Sequence, residues 1–415
     1  MSPVDLTQLI WPGEAVLVGQ GTGEPRTLTE ALVEQRADLH GVSVFLGASY
    51  AGTFTPRHAD HLRFVGLGGL GANAALHRAG LLDVLPCHVS DLPAAIECGR
   101  VRVDVVLLQL SPEGPDGRYS LGVVADYLQP AIAKARVVIA EVNERMPRTL
   151  GSFVDRSQLS HVVHTSRPLL EVEPPELGAV EQQIGRHVAS LIPPQPVLQL
   201  GIGKLGYTVA HALQDRHDIA LHGGVVGDWL VDLAVAGAID NTHKPIDTGV
   251  TVTGTVVGTQ RLYDFVNENP TVELREIRYT HAAATLRQLP RLIATNAALQ
   301  VDLTGQVNAE TIAGRHVGAV GGQVDFVRGA MASPGGRSII ALPSTARHGS
   351  SRIVPRLDDG VITTSRADAD TVVTEHGIAE LRGITVRERA RRLIAVADPR
   401  HREKLEEWIA EGSLA

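Results

Sequence analysis

The hydrophobic positions of this chain fall in short unbroken runs rather than in alternation. AVLVG at 15–19, VSVFLG at 42–47, VVLLQL at 105–110 and VVIAEV at 137–142 are rich in β-branched residues, and each gives way to glycine or a turn and then to helical spacing. Continuous runs of this length predict strands covered on both faces, as in a parallel sheet, and their order with the helices predicts an α/β fold. Within EVEPPELGAVEQQIGRHVASLIPPQPVLQLGIG two proline pairs bracket an amphipathic helix before a new strand begins at Val197. That places a domain boundary near residue 190. The second half then repeats the logic of the first: VLQL runs into glycines and a helix, as AVLVGQGTGEPRTLTEALVEQ does near the start. Two related open α/β domains are expected, residues 1–189 and 190–415. The final segment, ITVRERARRLIAVADPRHREKLEEWIAEG, mixes charged and apolar positions at helical spacing and ends in glycine, so it predicts surface helices.

The bulk numbers narrow this picture. A chain of 415 residues exceeds what one core supports, and 44% hydrophobic with 20% charged residues is enough apolar material for two. The formal charge of −8 repels a polyanion at long range, which discounts nucleic acid while leaving a phosphorylated small molecule open to a local cluster of amides and cations. Cys87 and Cys98 cannot form a disulfide framework, and no histidines or cysteines share a metal-ligand spacing, so no metal is expected. The N-terminus lacks the pattern of a signal peptide, and no apolar run is long enough to span a bilayer. A cytoplasmic protein without membrane contact follows as the expectation.

Three glycine-rich segments carry candidate chemistry. In LQLGIGKLGYTVAHAL at 198–213 a strand runs into Gly201, Gly203 and Gly206 and then a helix, where amides could approach a ligand. In GAVGGQVDFVRGAM at 318–331, Gly318, Gly321 and Gly322 precede Gln323, Asp325 and Arg328, an arrangement suited to an oxyanion pocket or a thin ligand arm. GQGTGEP at 19–25 is similar in composition. Each loop alone is equally readable as tight packing, and none is a dinucleotide fingerprint, since no acidic residue closes a following strand at the required distance. Three together in one α/β chain favour a shared cleft.

The blocks LQLGIG, VDLAVAGAIDN, NAALQVDLTGQVNAE, GAVGGQVDFVRGA, IIALPSTA, SRIVP and VVTEHGIAELRG, with GQGTGEP, QLSPEGPDGRYSLGVVADY and VVIAEVNERMPRTLG before them, resemble the acetyl-CoA hydrolase / 4-hydroxybutyrate CoA-transferase family along nearly the whole chain. The resemblance implies two α/β domains of the CoA-transferase type around a CoA-binding cleft, with acyl-CoA as substrate and a small carboxylate as possible acceptor. It implies CoA contacts at Gln199, Leu200, Gly201, Ile202, Gly203, Leu299, Gly321, Gly322 and Gln323. A homo-oligomer, commonly a dimer, is the expected assembly. Transferases of this family attack the thioester with a glutamate, passing through an anhydride to a glutamyl-CoA thioester.

That glutamate lies in a His-Thr-Glu segment followed after three residues by Asp-Gly. Here the segment reads IALHGGVVGDWLVDL: His222 and Asp228 match, Gly223 and Gly224 stand at the Thr and Glu positions, and Trp229 replaces the last glycine. Glycine has no side chain to act as nucleophile, and no glutamate occurs between Glu181 and Glu268 to rescue a shifted alignment. A second change accompanies the first: in LREIRYTHAAATLRQL, His281 stands where the family tends to carry asparagine. The paired departures predict an acyl-CoA enzyme that does not use the glutamyl-CoA cycle. Direct hydrolysis of the thioester or hydrolytic cleavage within the acyl group, with His281 as base on water, direct CoA transfer to a carboxylate, and non-catalytic acyl-CoA binding are the alternatives. The bland readings are a loop role for His281, pocket shaping by His222 and backbone capping by Asp228. Glu24 or Glu141 could supply a carboxylate, or be held by local hydrogen bonds; Lys204 or Arg328 could meet phosphates, or be solvated.

Overall fold

The unbroken apolar runs become two parallel sheets, one in each of two units defined by packing. In the computed structural model, which describes residues 4–358 and 360–412, the first unit comprises Met1–Glu173, Val252–Thr280 and Arg315–Gly321. The second comprises Pro174–Thr251, His281–Gly314 and Gly322–Ala415. The expected boundary at residue 190 falls at the end of a helix that packs within the second unit.

In the first unit, β1 (Ala15–Val18), β2 (Ser43–Leu46), β3 (Arg63–Gly66), β4 (Leu82–Val84), β5 (Val105–Leu110), β6 (Val137–Asn143) and β7 (His161–Thr165) form a sheet in the order β4-β3-β2-β1-β5-β6-β7. Every neighbouring pair is parallel. β5 and β6 are buried along their whole length, which is why their sequences run apolar without alternation. α1 (Arg26–Glu34) follows β1 and turns Leu28, Ala31 and Leu32 inward, at helical spacing.

The second unit opens with α2 (Ala179–Ser190), whose first turn is closed by Glu181 Oε2 accepting the Gly178 amide at 3.1 Å. Ile184, Gly185 and Val188 face inward, and Gly185 lies so close to Thr208 that a side chain there would overlap it. Next come β8 (Val197–Gln199), α3 (Lys204–His211), β9 (Ala220–Leu221), α4 (Trp229–Val235), β10 (Leu292–Ala297), α5 (Gln323–Ala332), β11 (Arg337–Ala341), β12 (Thr371–Thr374) and β13 (Gly377–Glu380). The sheet order is β9-β8-β10-β11-β12-β13, parallel except for the last pair. α6 (Val386–Val396) covers the far side with Leu393 and Ile394 in the core, its start capped by Thr385 accepting the Glu388 amide.

The two sheets share a topological device. In each, the first strand lies between the strand that follows it and a strand from much later: β1 between β2 and β5, and β8 between β9 and β10. The connections leave in opposite directions there, opening a crevice at the carboxyl ends of the strands, the usual ligand position in open α/β sheets. GQGTGEP follows β1 and LGIG follows β8 at these two points.

Candidate active site

Within the second unit, β8 delivers Gln199, buried, whose Oε1 accepts from Asn296 Nδ2 at the end of β10 at 3.1 Å. The chain then passes through Leu200, Gly201 and Ile202 to Gly203, the residue before α3. Gly201 is fixed by its carbonyl, which accepts the Trp229 indole N–H at 3.2 Å. Gly206 lets the first turn of α3 fold back onto this loop: a Cβ there would overlap the Gly201 oxygen and sit 2.7 Å from its carbon. Because the obstacle is backbone, the Gly206→Ala variant is expected to lose about 1–3 kcal/mol of stability, read as a lower urea midpoint with unchanged slope. Cβ atoms at Gly201 and Gly203 would meet open space. Steric crowding therefore does not require glycine at those two positions.

The carboxyl ends of β10 and β11 and the start of α3 border a cavity of about 360 Å³, lined among others by Gly203, Lys204, Ala297, Ala298, Leu342 and Pro343. Its size and mixed lining suit a small organic ligand. Leu299 follows Ala298, its amide donating to Asn308 O at 2.8 Å. The predicted 321–323 loop is divided: Gly321 belongs to the first unit, where its carbonyl accepts from Val89, whereas Gly322 and Gln323 start α5 in the second. The Gln323 amide nitrogen donates to Thr364 Oγ1 at 3.0 Å.

Around position 224 the structure brings together the residues of the two sequence departures. The His281 ring packs against Phe326 with centroids 4.7 Å apart and planes at 57°. A Cβ at Gly224 would lie 2.6 Å from His281 Cε1 and 2.8 Å from Nε2; one at Gly322 would meet the other edge of the ring, 2.6 Å from Cδ2. The imidazole thus occupies the space into which a side chain at 224 would project. His222 is fully buried, and its backbone N–H donates to Leu198 O at 3.1 Å. Burial first, and the charge of His222 second, hold the pKa of the His281 ring down to about 3. At neutral pH it is an uncharged hydrogen-bonding group, and an imidazole with so acidic a conjugate acid has little driving force for taking a proton.

The other candidates are placed as follows. Asp228 is buried at the start of α4, where its side chain makes no capping hydrogen bond and its N–H donates to the Tyr207 hydroxyl at 3.1 Å. Glu24 is buried and accepts from Ser49 Oγ at 3.1 Å, the Ala51 amide at 3.0 Å and the Tyr50 amide, so it holds the turn after β2, with burial raising its pKa. Glu141 accepts from Thr27 N and Oγ1, both at 2.8 Å, and from Thr165 Oγ1 at 3.1 Å, tying β6 to the start of α1. Arg328 pairs with Asp368 and Lys204 with Glu181, each at 3.1 Å. Sequence reasoning missed Arg347 and Arg352, which also line the cavity. Their only signal was a basic pair in the STARHGSSR stretch after a strand. Among the described residues no group of three or more His, Cys, Asp or Glu is placed to hold a metal, and no helix is long and apolar enough to cross a membrane.

The acetyl-CoA hydrolase/transferase N-terminal domain matches residues 1–166 and its C-terminal domain residues 258–409, and the chain belongs to this family. It is 42% identical to the 4-hydroxybutyrate coenzyme A transferase of Clostridium kluyveri over 94% of this chain and 92% of that protein. It is 34% identical to the succinyl-CoA:cyclohexane-1-carboxylate CoA transferase of Geobacter metallireducens, over 98% and 94%. The crystal structure of RipA from Yersinia pestis superposes with a TM-score of 0.95 at 33% identity, covering 100% of this chain and 98% of that one.

Proposed function

We propose that this protein processes an acyl-CoA thioester by direct attack of an external nucleophile, without a glutamyl-CoA intermediate. The observation that carries the reading is the His281 ring packed into the space beside Gly224, where the resemblance expects a glutamate. Water is the nucleophile we favour. Its oxygen adds to the thioester carbon, the C–S bond breaks, the proton lost by water goes to the departing thiolate, and the products are a free acid and CoA. Neutral His281 serves in this scheme as a hydrogen-bonding partner that orients water or the carbonyl oxygen, a role open to an uncharged ring. The LGIG loop, Leu299, Gly322 and Gln323, all of the second unit, hold the CoA portion, and the working form is a cytoplasmic homo-oligomer.

A second reading, CoA transfer by direct attack of an acceptor carboxylate, is favoured by the names of the relatives, which are transferases. The two separate in one experiment. The protein is incubated with a panel of acyl-CoAs in heavy-oxygen water, with and without acetate, and the products are weighed by mass spectrometry. Heavy oxygen in the released acid is the expected result; acetyl-CoA formed only with acetate establishes transfer instead, and an unchanged panel at substrate-saturating protein defeats both in favour of a binding protein.

A further inference from the structure

Trp229 is the sequence departure that the proposed reaction leaves unused. Its indole is buried at the start of α4, 2% exposed, and its N–H donates to Gly201 O at 3.2 Å. An indole N–H can only donate, and a buried one needs an acceptor, so the contact fixes the ring as well as the loop. Gly227 lies beside the same edge of the ring: a Cβ there would stand 3.2 Å from both Cδ1 and Nε1, and 2.9 Å from Tyr207 Oη. Tyr207 Oη accepts the Asp228 amide at 3.1 Å, tying the start of α4 to α3. Gly206, in the first turn of α3, closes on the Gly201 oxygen without room for a side chain. The Gly201 carbonyl is thus held by α3 and by the indole together.

Holding that carbonyl also sets a direction. The Gly201–Ile202 peptide is trans and planar, so the Ile202 N–H points opposite to the Gly201 carbonyl. With the carbonyl turned to a buried indole, the amide is aimed away from it. The loop it belongs to is open: Gly203 is exposed, and Cβ atoms at Gly201 and Gly203 would meet nothing within 4 Å. Resting on the reading of LGIG as a seat of the CoA portion, we infer that Trp229 is a positioning residue, whose N–H locks the Gly201–Ile202 peptide in the orientation that offers the Ile202 amide to an acceptor oxygen of CoA. A glycine loop without such an anchor loses backbone freedom when a ligand binds, whereas this one is ordered beforehand. Trp229 acts through the loop, so its effect falls on binding rather than on the bond-breaking step.

Calorimetric titration of the full-length protein with free CoA, beside acyl-CoA kinetics, tests this role. Trp229→Phe keeps an aromatic ring and removes the N–H. It is expected to weaken CoA binding about fivefold and to raise KM for acyl-CoA by the same factor, with kcat within about twofold of the unaltered protein. Leu393→Val, a change in the core beneath α6, lowers the urea midpoint and is expected to leave CoA affinity as it was, which separates positioning from a general loss of stability. Gly227→Ala keeps the indole but crowds its donor edge, and is expected to weaken CoA as well, so a failure of Trp229→Phe to fold leaves a second test. Calorimetry gives its answer even where no acyl-CoA is turned over. Equal CoA affinity in the unaltered protein and in Trp229→Phe, or an equal loss in Leu393→Val, overturns the inference and leaves the acyl-CoA reading standing. No binding of CoA to the unaltered protein removes the acyl-CoA reading, and the role of Trp229 with it.

Discussion

The single variant Gly224→Glu is expected to form no glutamyl-CoA adduct, whereas Gly224→Glu combined with His281→Asn is expected to form one. In the single variant the new side chain must start within 2.6–2.8 Å of the His281 ring, itself wedged between Gly224, Gly322 and Phe326. Overpacking this site while burying a carboxylate costs about 2–4 kcal/mol, so the variant should also show a depressed urea midpoint. Replacing the ring with the smaller asparagine removes the obstacle and restores both residues that the family resemblance places there. Intact-mass analysis after incubation with acyl-CoA, with hydroxylamine as the control that cleaves a thioester, reads the adduct directly. Equal adduct formation in the single and double variants would show that the ring is not what bars a glutamate.

The second large effect is on stability against pH. Free in the unfolded chain, His281 takes up a proton near pH 6.5, whereas in the folded protein its value is about 3. Between these values the unfolded state binds the proton and the native state does not, so acid favours unfolding. The penalty is absent above about pH 6.5 and grows as pH falls, by roughly 1.4 kcal/mol per unit for a fully buried group. His281→Asn removes this contribution. Urea midpoints from pH 7 to pH 4 should therefore fall more steeply in the unaltered protein than in His281→Asn, and parallel curves would refute a buried neutral imidazole.

The sequence exposed the strands well because a strand buried on both faces has little choice but to run apolar, as Val105–Leu110 and Val137–Asn143 do. The helix before Val197 and the two terminal helices were legible for the complementary reason, their periodic charged faces. The excursion of residues 252–280 into the first unit was not legible: its strands are two or three residues long, and their pairing is set by contacts such as Thr255 Oγ1 donating to Asp126 at 2.6 Å, which no local pattern encodes. At the candidate site, the changes at 224 and 281 could be read separately. That one fills the space beside the other is a three-dimensional fact, 57 positions apart in sequence, since 281 − 224 = 57. Arg347 and Arg352 stayed hidden because a basic residue in a polar loop looks the same whether it faces solvent or a cavity.

The interleaving of the two units also governs how the chain comes to be folded. β8 cannot gain its inner neighbour β10 until some ninety more residues have been made, among them the 252–280 segment that belongs to the first unit. The first unit in turn waits for Val256 to dock on Val123 and for Arg315–Gly321 to arrive. Neither half can finish during synthesis before the other has begun. The nascent chain must therefore carry a second sheet with an open apolar edge while the first unit, its seven strands already made, still lacks its late segments, a period in which chaperone protection matters most.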